Sequence, residues 1–521
     1  MDKDRQIINT YRSLSNWHTF RLRLFAEGII IGVLAGAVIS FFRWGISEAE
    51  AWRSSLYGLL AASSPALTAG WFCALATLAL LLTWLCRKEP LASGSGIPQV
   101  KGALLGLIKM RWFSILWVKL SAGIAGIGAG LSLGREGPSI QLGAVTAQGV
   151  SRMLGRTRME ERYLMTSGAS AGLAAAFNAP LAGVIFALEE LHRNFSVVVL
   201  LPSMAAAFTA TIISRAIFGR ASVFDIPHLQ LLPLEYYGLV LVTAVFAGLG
   251  GVIFNKGLLN IGRFYSLPVF KGTFRKIAFA LLCAGILGFW LPQVLGGGNG
   301  LINSLTHAPA SLQFMLLLLA GKLLFTLISY GSGVPGGFFL PMLVIGALCG
   351  SIIAKILIML GLIQPEYATN IVVIAMAALF SSSVRAPITG TVLIMEMTSS
   401  YQLLLSLAIA AMTAFVIAEL CRSKPIYEEL LNRSLKSGPQ PHTLRQRNVM
   451  EFSVCSGSLI ENRLVRDIPW PENTLLVDIK RGEEQIIPAG GVQIRAGDFI
   501  YVLTEAGKAL ELQKLTGETE K

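Results

Sequence analysis

The sequence predicts a helical, polytopic membrane domain built from two related halves, followed by a small β-rich soluble domain. Three observations carry that reading. Hydrophobic residues make up 54% of the 521 and charged residues only 14%, against about a quarter charged in soluble domains, and the mean hydropathy is +0.63. Apolar runs of membrane-crossing length recur from about residue 27 to residue 420 and then stop. Within that stretch a pattern of Gly, Pro and Glu occurs twice in the same order.

The chain opens with "MDKDRQIINTYRSLSNWHTFRLRLF", which is basic and has no short apolar core ahead of a small-residue cleavage site. It reads as a cytoplasmic lead-in helix and not as a signal peptide. Spans follow in "IIIGVLAGAVISFF" and "LTAGWFCALATLALLLTWLC", and later in "YYGLVLVTAVFAGLGGVIF", "KIAFALLCAGILGFWLPQVL" and "NIVVIAMAALF". Several runs are too long or too interrupted to be single crossings, so composition alone leaves the helix count open. The 53 glycines cluster between these runs. Irregular backbone at membrane depth is tolerated only where protein or a water-filled cavity satisfies it, which predicts broken or re-entrant helices.

Beyond Leu420 a polar stretch with Gly438, Pro439 and Pro441 reads as a linker. After it, "LLVDIKRG", "EQIIPAGG" and "VQIRAGDFIYVLT" alternate with period two between Gly, Pro and Asp, as short strands do. The expected organisation is a membrane domain over residues 1–436, a linker over 437–448 and a cytoplasmic domain over 449–521, with both termini cytoplasmic. The net charge of +13 lies at the chain ends and between apolar runs. That distribution orients a membrane protein and excludes nucleic-acid binding.

The repeat pairs "NAPLAGVIFALEE" (178–190) with "RAPITGTVLIMEM" (385–397), and Gly134 to Pro138 with Gly337 to Pro341, at offsets of 207 and 203 residues. Two half-domains of common descent are expected. Repeats of this kind are how many transporters build a site at the bilayer midplane.

Three segments combine a Gly-rich approach with a proline and an apolar run: "SGSGIPQVKGALLGL", "LGREGPSIQLGAV" and "SGVPGGFFLPMLVIG". Proline suits the first turn of a helix, so each segment is read as a loop opening a helix inside the membrane. Unpaired N–H groups and the positive dipole end make a helix start attractive to anions. Several such starts, each bearing partial charge, could bind an anion without trapping it.

A carboxylate at membrane depth is costly, so Glu136 is either ion-paired with Arg135 or titratable. In the second case it competes with an anion for the same donors and leaves when protonated, coupling anion and proton through one place. Glu189 and Glu190 end an apolar run and read either as a helix end meeting water or as functional acids, and Glu396 is their repeat counterpart. Lys119 and Lys322 either counter a carboxylate or snorkel.

"GASAG" (168–172) fits a nucleophile elbow, but none of His18, His192, His228, His307 and His442 lies in an apolar run where it could activate Ser170. No enzyme is predicted. The six cysteines lack metal or disulfide spacing, and neither a P-loop nor a potassium-type filter is present. No cofactor is implied.

"GSGIP" (Gly94, Ser95, Gly96, Ile97, Pro98), "GREGP" (Gly134, Arg135, Glu136, Gly137, Pro138), "GGFFLP" (Gly336 to Pro341) and the tyrosine of "KPIYEELL" (Tyr427) resemble the four signature segments of the CLC chloride channels and transporters. The resemblance covers roughly residues 20–435. It implies an all-α domain of tilted, re-entrant helices in two inverted halves, and a homodimer with one pathway per subunit. By motif, Ser95, Tyr427 and the amides of Phe338 and Phe339 hold chloride, Glu136 is the external gate, and Glu190 is the internal proton-transfer residue. Serine at position 95 implies chloride, since nitrate members carry proline there and the fluoride branch departs from serine. Phe338 stands where relatives often have isoleucine.

The tail is similar to the C-terminal (TrkA-C) lobe of RCK-type regulators, a small α+β domain, and implies a small-molecule ligand or added dimer contacts. Together these imply exchange of chloride for protons across a bacterial inner membrane. The alternative is a passive voltage- or pH-gated chloride channel of the same fold.

Overall fold

The computed structural model describes residues 17–517, apart from 62–63, 194, 221–222, 225, 227–228, 308–309, 438–446, 483 and 506–507. The first 16 residues of the lead-in and most of the expected linker therefore lie outside the described residues.

The first half runs through α1 (Trp17–Ala61), α2 (Pro65–Lys88), α3 (Ile97–Leu104), α4 (Trp112–Gly128), α5 (Glu136–Met153), α6 (Arg158–Phe177), α7 (Pro180–Phe186) and α8 (Val197–Phe218). The second repeats the order: α9 (Tyr237–Phe264), α10 (Thr273–Trp290), α11 (Asn299–His307), α12 (Leu312–Gly331), α13 (Phe339–Met359), α14 (Ala368–Val384), α15 (Pro387–Thr398) and α16 (Leu404–Leu420). α17 (Ile426–Ser437) leads out. Among the described residues, 9 helices are long and apolar enough to cross a membrane. α3, with eight residues, is only about 12 Å long at 1.5 Å per residue. It is too short to cross a hydrocarbon layer of about 30 Å.

The repeat extends to backbone angles and side-chain bonds. α6 ends on Asn178 and α14 on Arg385, both left-handed (φ 56° and 69°). Ala179 and Ala386 then share one conformation before a proline opens the next helix. The Glu189 carboxylate accepts from the N–H groups of Ile388 (3.3 Å) and Thr389 (2.8 Å) at the start of α15. Glu396, on α15, does the same for Leu181 (3.2 Å) and Ala182 (2.8 Å) at the start of α7. Each half thus caps a helix of the other, at the end where the dipole favours negative charge.

The "GASAG" glycines serve packing. A Cβ on Gly143 of α5 would lie 2.0 Å from the Gly168 carbonyl oxygen, and one on Gly172 of α6 would lie 2.3 Å from that of Ser139, so the two helices touch backbone to backbone. Ser170 is buried, and its hydroxyl donates to the Ser203 carbonyl at 3.4 Å.

The tail is an antiparallel sheet in the order β1-β4-β2-β3, from β1 (Arg447–Ser453), β2 (Leu475–Arg481), β3 (Glu484–Ile486) and β4 (Phe499–Glu505), followed by α18 (Ala509–Thr516). Its core includes Phe452, Ile479, Ile494, Ile500 and Leu512. The buried Asp498 receives two 2.8 Å bonds from Arg481. The sheet is docked on the membrane domain: the Tyr163 hydroxyl of α6 donates to Glu451 of β1, and Tyr501, Val449 and Phe499 pack into the apolar core of the helices.

Candidate functional site

The three Gly-rich loops come together. Gly134 and Gly337, at repeat-related positions, exchange N–H to carbonyl bonds of 2.6 and 2.8 Å. The Gly336 N–H donates to the Gly94 carbonyl at 3.0 Å. Ser95 abuts α5 so closely that a Cβ on Gly137 would lie 2.4 Å from its hydroxyl oxygen. The starts of α3, α5 and α13 are therefore tied to one another, with Pro98, Pro138 and Pro341 each in a first helical turn. Gly94 and Gly96, at φ 64° and 94°, supply the left-handed turns that a side chain would resist.

Ser95, Glu136, Phe338, Phe339 and Tyr427 are all buried. Phe338 precedes α13, Phe339 begins it, and Tyr427 is the second residue of α17. The Tyr427 ring stacks on Phe338 (5.4 Å, 24°) and meets Phe186 edge-on at 6.3 Å, while Phe339 packs on Phe177 at 5.5 Å. These rings hold the Tyr427 hydroxyl in place, yet among the described residues it has no hydrogen-bond partner. Buried hydroxyls are nearly always bonded, so this one is available to something else.

Glu136 opens α5 and folds back over Gly134, where an added Cβ would collide with its carboxylate oxygen. Among the described residues neither oxygen is bonded by another side chain, and Arg135 lies near without forming an ion pair. The backbone N–H groups of Arg135, Glu136 and Leu340 face the carboxylate. Arg135 instead lines a cavity of about 340 Å³ with Glu50, Arg53, Gln293 and Leu340, and Leu340 stands between that cavity and the Gly134 turn.

Glu190 is neither a solvated helix end nor unpartnered. It lies in a π-helical turn, Ala187–His192, and bonds Lys101 of α3 at 2.7 Å, with both side chains 3% exposed. Beside this pair, Arg193 bonds Glu428 at 2.9 Å, and Glu428 follows Tyr427 on α17. Among the described residues neither Lys119 nor Lys322 forms an ion pair with a carboxylate, although Glu50 lies near enough to Lys322 to attract it. Lys119 donates to the carbonyls of Ala92 (2.9 Å) and Gly94 (2.7 Å), and Lys322 to those of Val294 (3.0 Å) and Gly296 (2.8 Å). The buried ammonium groups fix irregular loops whose carbonyls have no helix to pair with.

Sequence reasoning missed Lys101. A lone cation four residues into a helix that begins with an apolar residue was the available signal, since intramembrane cations seek partners. No group of three or more metal-ligating side chains occurs among the described residues. His228 and His442 lie outside the described residues.

A voltage-gated chloride channel family model matches residues 78–419, about two-thirds of the chain. The chain belongs to that family. A TrkA-C domain model matches residues 449–517. The H(+)/Cl(−) exchange transporter ClcA of Vibrio vulnificus is 36% identical over 440 residues, covering 81% of this chain and 91% of the relative. The ClcA of Vibrio campbellii is 34% identical over 461 residues, covering 86% and 96%. Among solved structures, a slow cyanobacterial Cl−/H+ antiporter matches with a TM-score of 0.76 and 32% identity over 80% of this chain and 98% of that one. A CLC-type fluoride/proton antiporter matches at 0.64 and 25% identity over 78% and 98%. The chain is thus a multi-pass membrane protein of a bacterial CLC type, with a small α+β domain at its C-terminal end.

Proposed function

We propose that this protein exchanges chloride for protons. In this reading the hydroxyls of Ser95 and Tyr427 and the amides of Phe338 and Phe339 hold chloride, Glu136 is the external gate, and Glu190 accepts protons from the inner face. The observation that carries it is the pair of buried carboxylates in unlike settings around uncharged donors: Glu136, with no side-chain partner among the described residues, over the helix starts, and Glu190, paired, behind Tyr427.

Hydroxyl and amide donors offer partial charges, so chloride can bind and leave again. A charged Glu136 satisfies the same helix-end donors and excludes the anion. A proton neutralises it, chloride replaces it, and the proton moves with the exchange. The names of the relatives support exchange over passive conduction. We place the protein in a bacterial inner membrane as a homodimer with both termini cytoplasmic, residues 437–448 as the linker, and residues 449–521 as a regulatory domain open to a small-molecule ligand.

The test uses purified protein in liposomes with an outward chloride gradient, no initial pH gradient, and voltage clamped by a potassium ionophore at the proton equilibrium value. Proton entry that builds a pH gradient as chloride leaves is the expected result. Chloride efflux with no proton movement identifies a passive channel and rejects exchange.

A further inference from the structure

Lys101 is the basic group bonded directly to Glu190. Each neighbouring element leaves it in that position. On the π-helical turn, Glu189 is turned away to cap α15, and His192 lies against Thr166 (3.2 Å) and the ring of Tyr163. Arg193 is engaged with Glu428 on α17, whose Tyr427 is also near. On α6 the near cation is Arg162, which faces His192. The first two turns of α8, "VVVLLPSM", carry no ionisable group.

A carboxylate bonded to an ammonium at 2.7 Å is held in one orientation by a charge-assisted hydrogen bond. The bond engages Oε1 alone, so a proton from the inner face can be accepted at Oε2 while Lys101 keeps the carboxylate in place.

We infer that Lys101 is a positioning residue for the proton step, holding the Glu190 carboxylate in one orientation and setting how proton entry depends on internal pH. This rests on the reading of Glu190 as the internal proton acceptor. Lys101 bonds Glu190 and neither Glu136 nor the residues read as holding chloride, so it acts on the proton branch alone.

The experiment measures proton flux against internal pH for the full chain in liposomes. Wild type is compared with Lys101→Met, Lys101→Arg, Glu190→Gln and the Lys101→Met/Glu190→Gln double variant. In Lys101→Met the half-maximal pH should rise by about one unit or more, each unit being a tenfold change in proton occupancy. Lys101→Arg, which keeps the charge, should return the midpoint towards wild type. Glu190→Gln should abolish proton flux, and adding Lys101→Met should change nothing further.

An unmoved midpoint in Lys101→Met, with Glu190→Gln still inactive for protons, overturns the inference while sparing Glu190 its role. Proton flux surviving in Glu190→Gln overturns both. If Lys101→Met fails to reach the membrane folded, Lys101→Gln takes its place, with the same shift expected and the same null result decisive.

Discussion

At the scale of single residues, what distinguishes the site is two buried polar groups that no other side chain satisfies among the described residues, the Tyr427 hydroxyl and the Glu136 carboxylate. Removing the first by Tyr427→Phe keeps the ring stack on Phe338 and deletes only a donor. A hydrogen bond to a charged group contributes about 1.5–3 kcal/mol, so chloride affinity by calorimetry should fall at least about tenfold. Unchanged affinity would remove Tyr427 from the binding site. Glu136→Gln imitates the protonated gate: chloride flux should persist while its dependence on external pH and all proton coupling disappear. Continued coupled proton transport in that variant would reassign the gate. Ser95→Pro should shift flux selectivity from chloride towards nitrate.

These positions could be read from the chain because glycine and proline punctuate it. Gly94, Gly96 and Pro98 announce a turn into a helix whatever surrounds them. Lys101 could not be paired that way, because its partner lies 89 residues on in sequence, and a residue's neighbour across a membrane bundle leaves no local signature. Lys119 and Lys322 misled for a related reason. Their acceptors are backbone carbonyls, which every residue carries and no sequence pattern marks.

At the scale of elements, the half-repeat was legible as Ala-Pro, Gly and Glu, whereas its mechanical role was not. Glu189 and Glu396 close the starts of α15 and α7 across the boundary between halves. Replacing either by Ala should cost about 1 kcal/mol, the usual price of a lost helix cap. The readout is thermal unfolding in detergent, and the double variant should lose about the sum, since the two caps share no atoms. The α5–α6 contact is stricter. Gly143→Val drives a branched side chain into the Gly168 carbonyl and should lower stability by 1–3 kcal/mol or more, the range for overpacking. A variant as stable as wild type would mean that the helices part easily.

At the scale of the whole molecule, the tail was legible as a separate β-rich unit but not as one seated on the transport domain. Alternating hydrophobicity reports which strand residues face inward and is silent on what lies beneath the sheet. In the structure β1 and β4 rest on α6 through Glu451, Tyr501 and Tyr163. Burial, and the Glu451 carboxylate beside it, push the Tyr501 phenol above its usual range, so it remains protonated at any physiological pH. Tyr163 also touches His192, two residues after Glu190. Tyr163→Phe should therefore loosen the tail, read as faster amide exchange in β1, without stopping transport. Deleting the chain from residue 449 onward should leave exchange intact and change its regulation. Loss of all folded protein on deletion would make the tail structural.

The crossed caps bear on ancestry. Glu189 reaches into the second half as Glu396 reaches into the first, which is the signature of an isologous contact, where residue i meets j and j meets i. In a half-length precursor paired with an antiparallel copy of itself, one gene-encoded glutamate would have formed both contacts. A single substitution there would have struck the assembly twice. In a single chain each glutamate can change alone, so a substitution at one leaves the other cap in place.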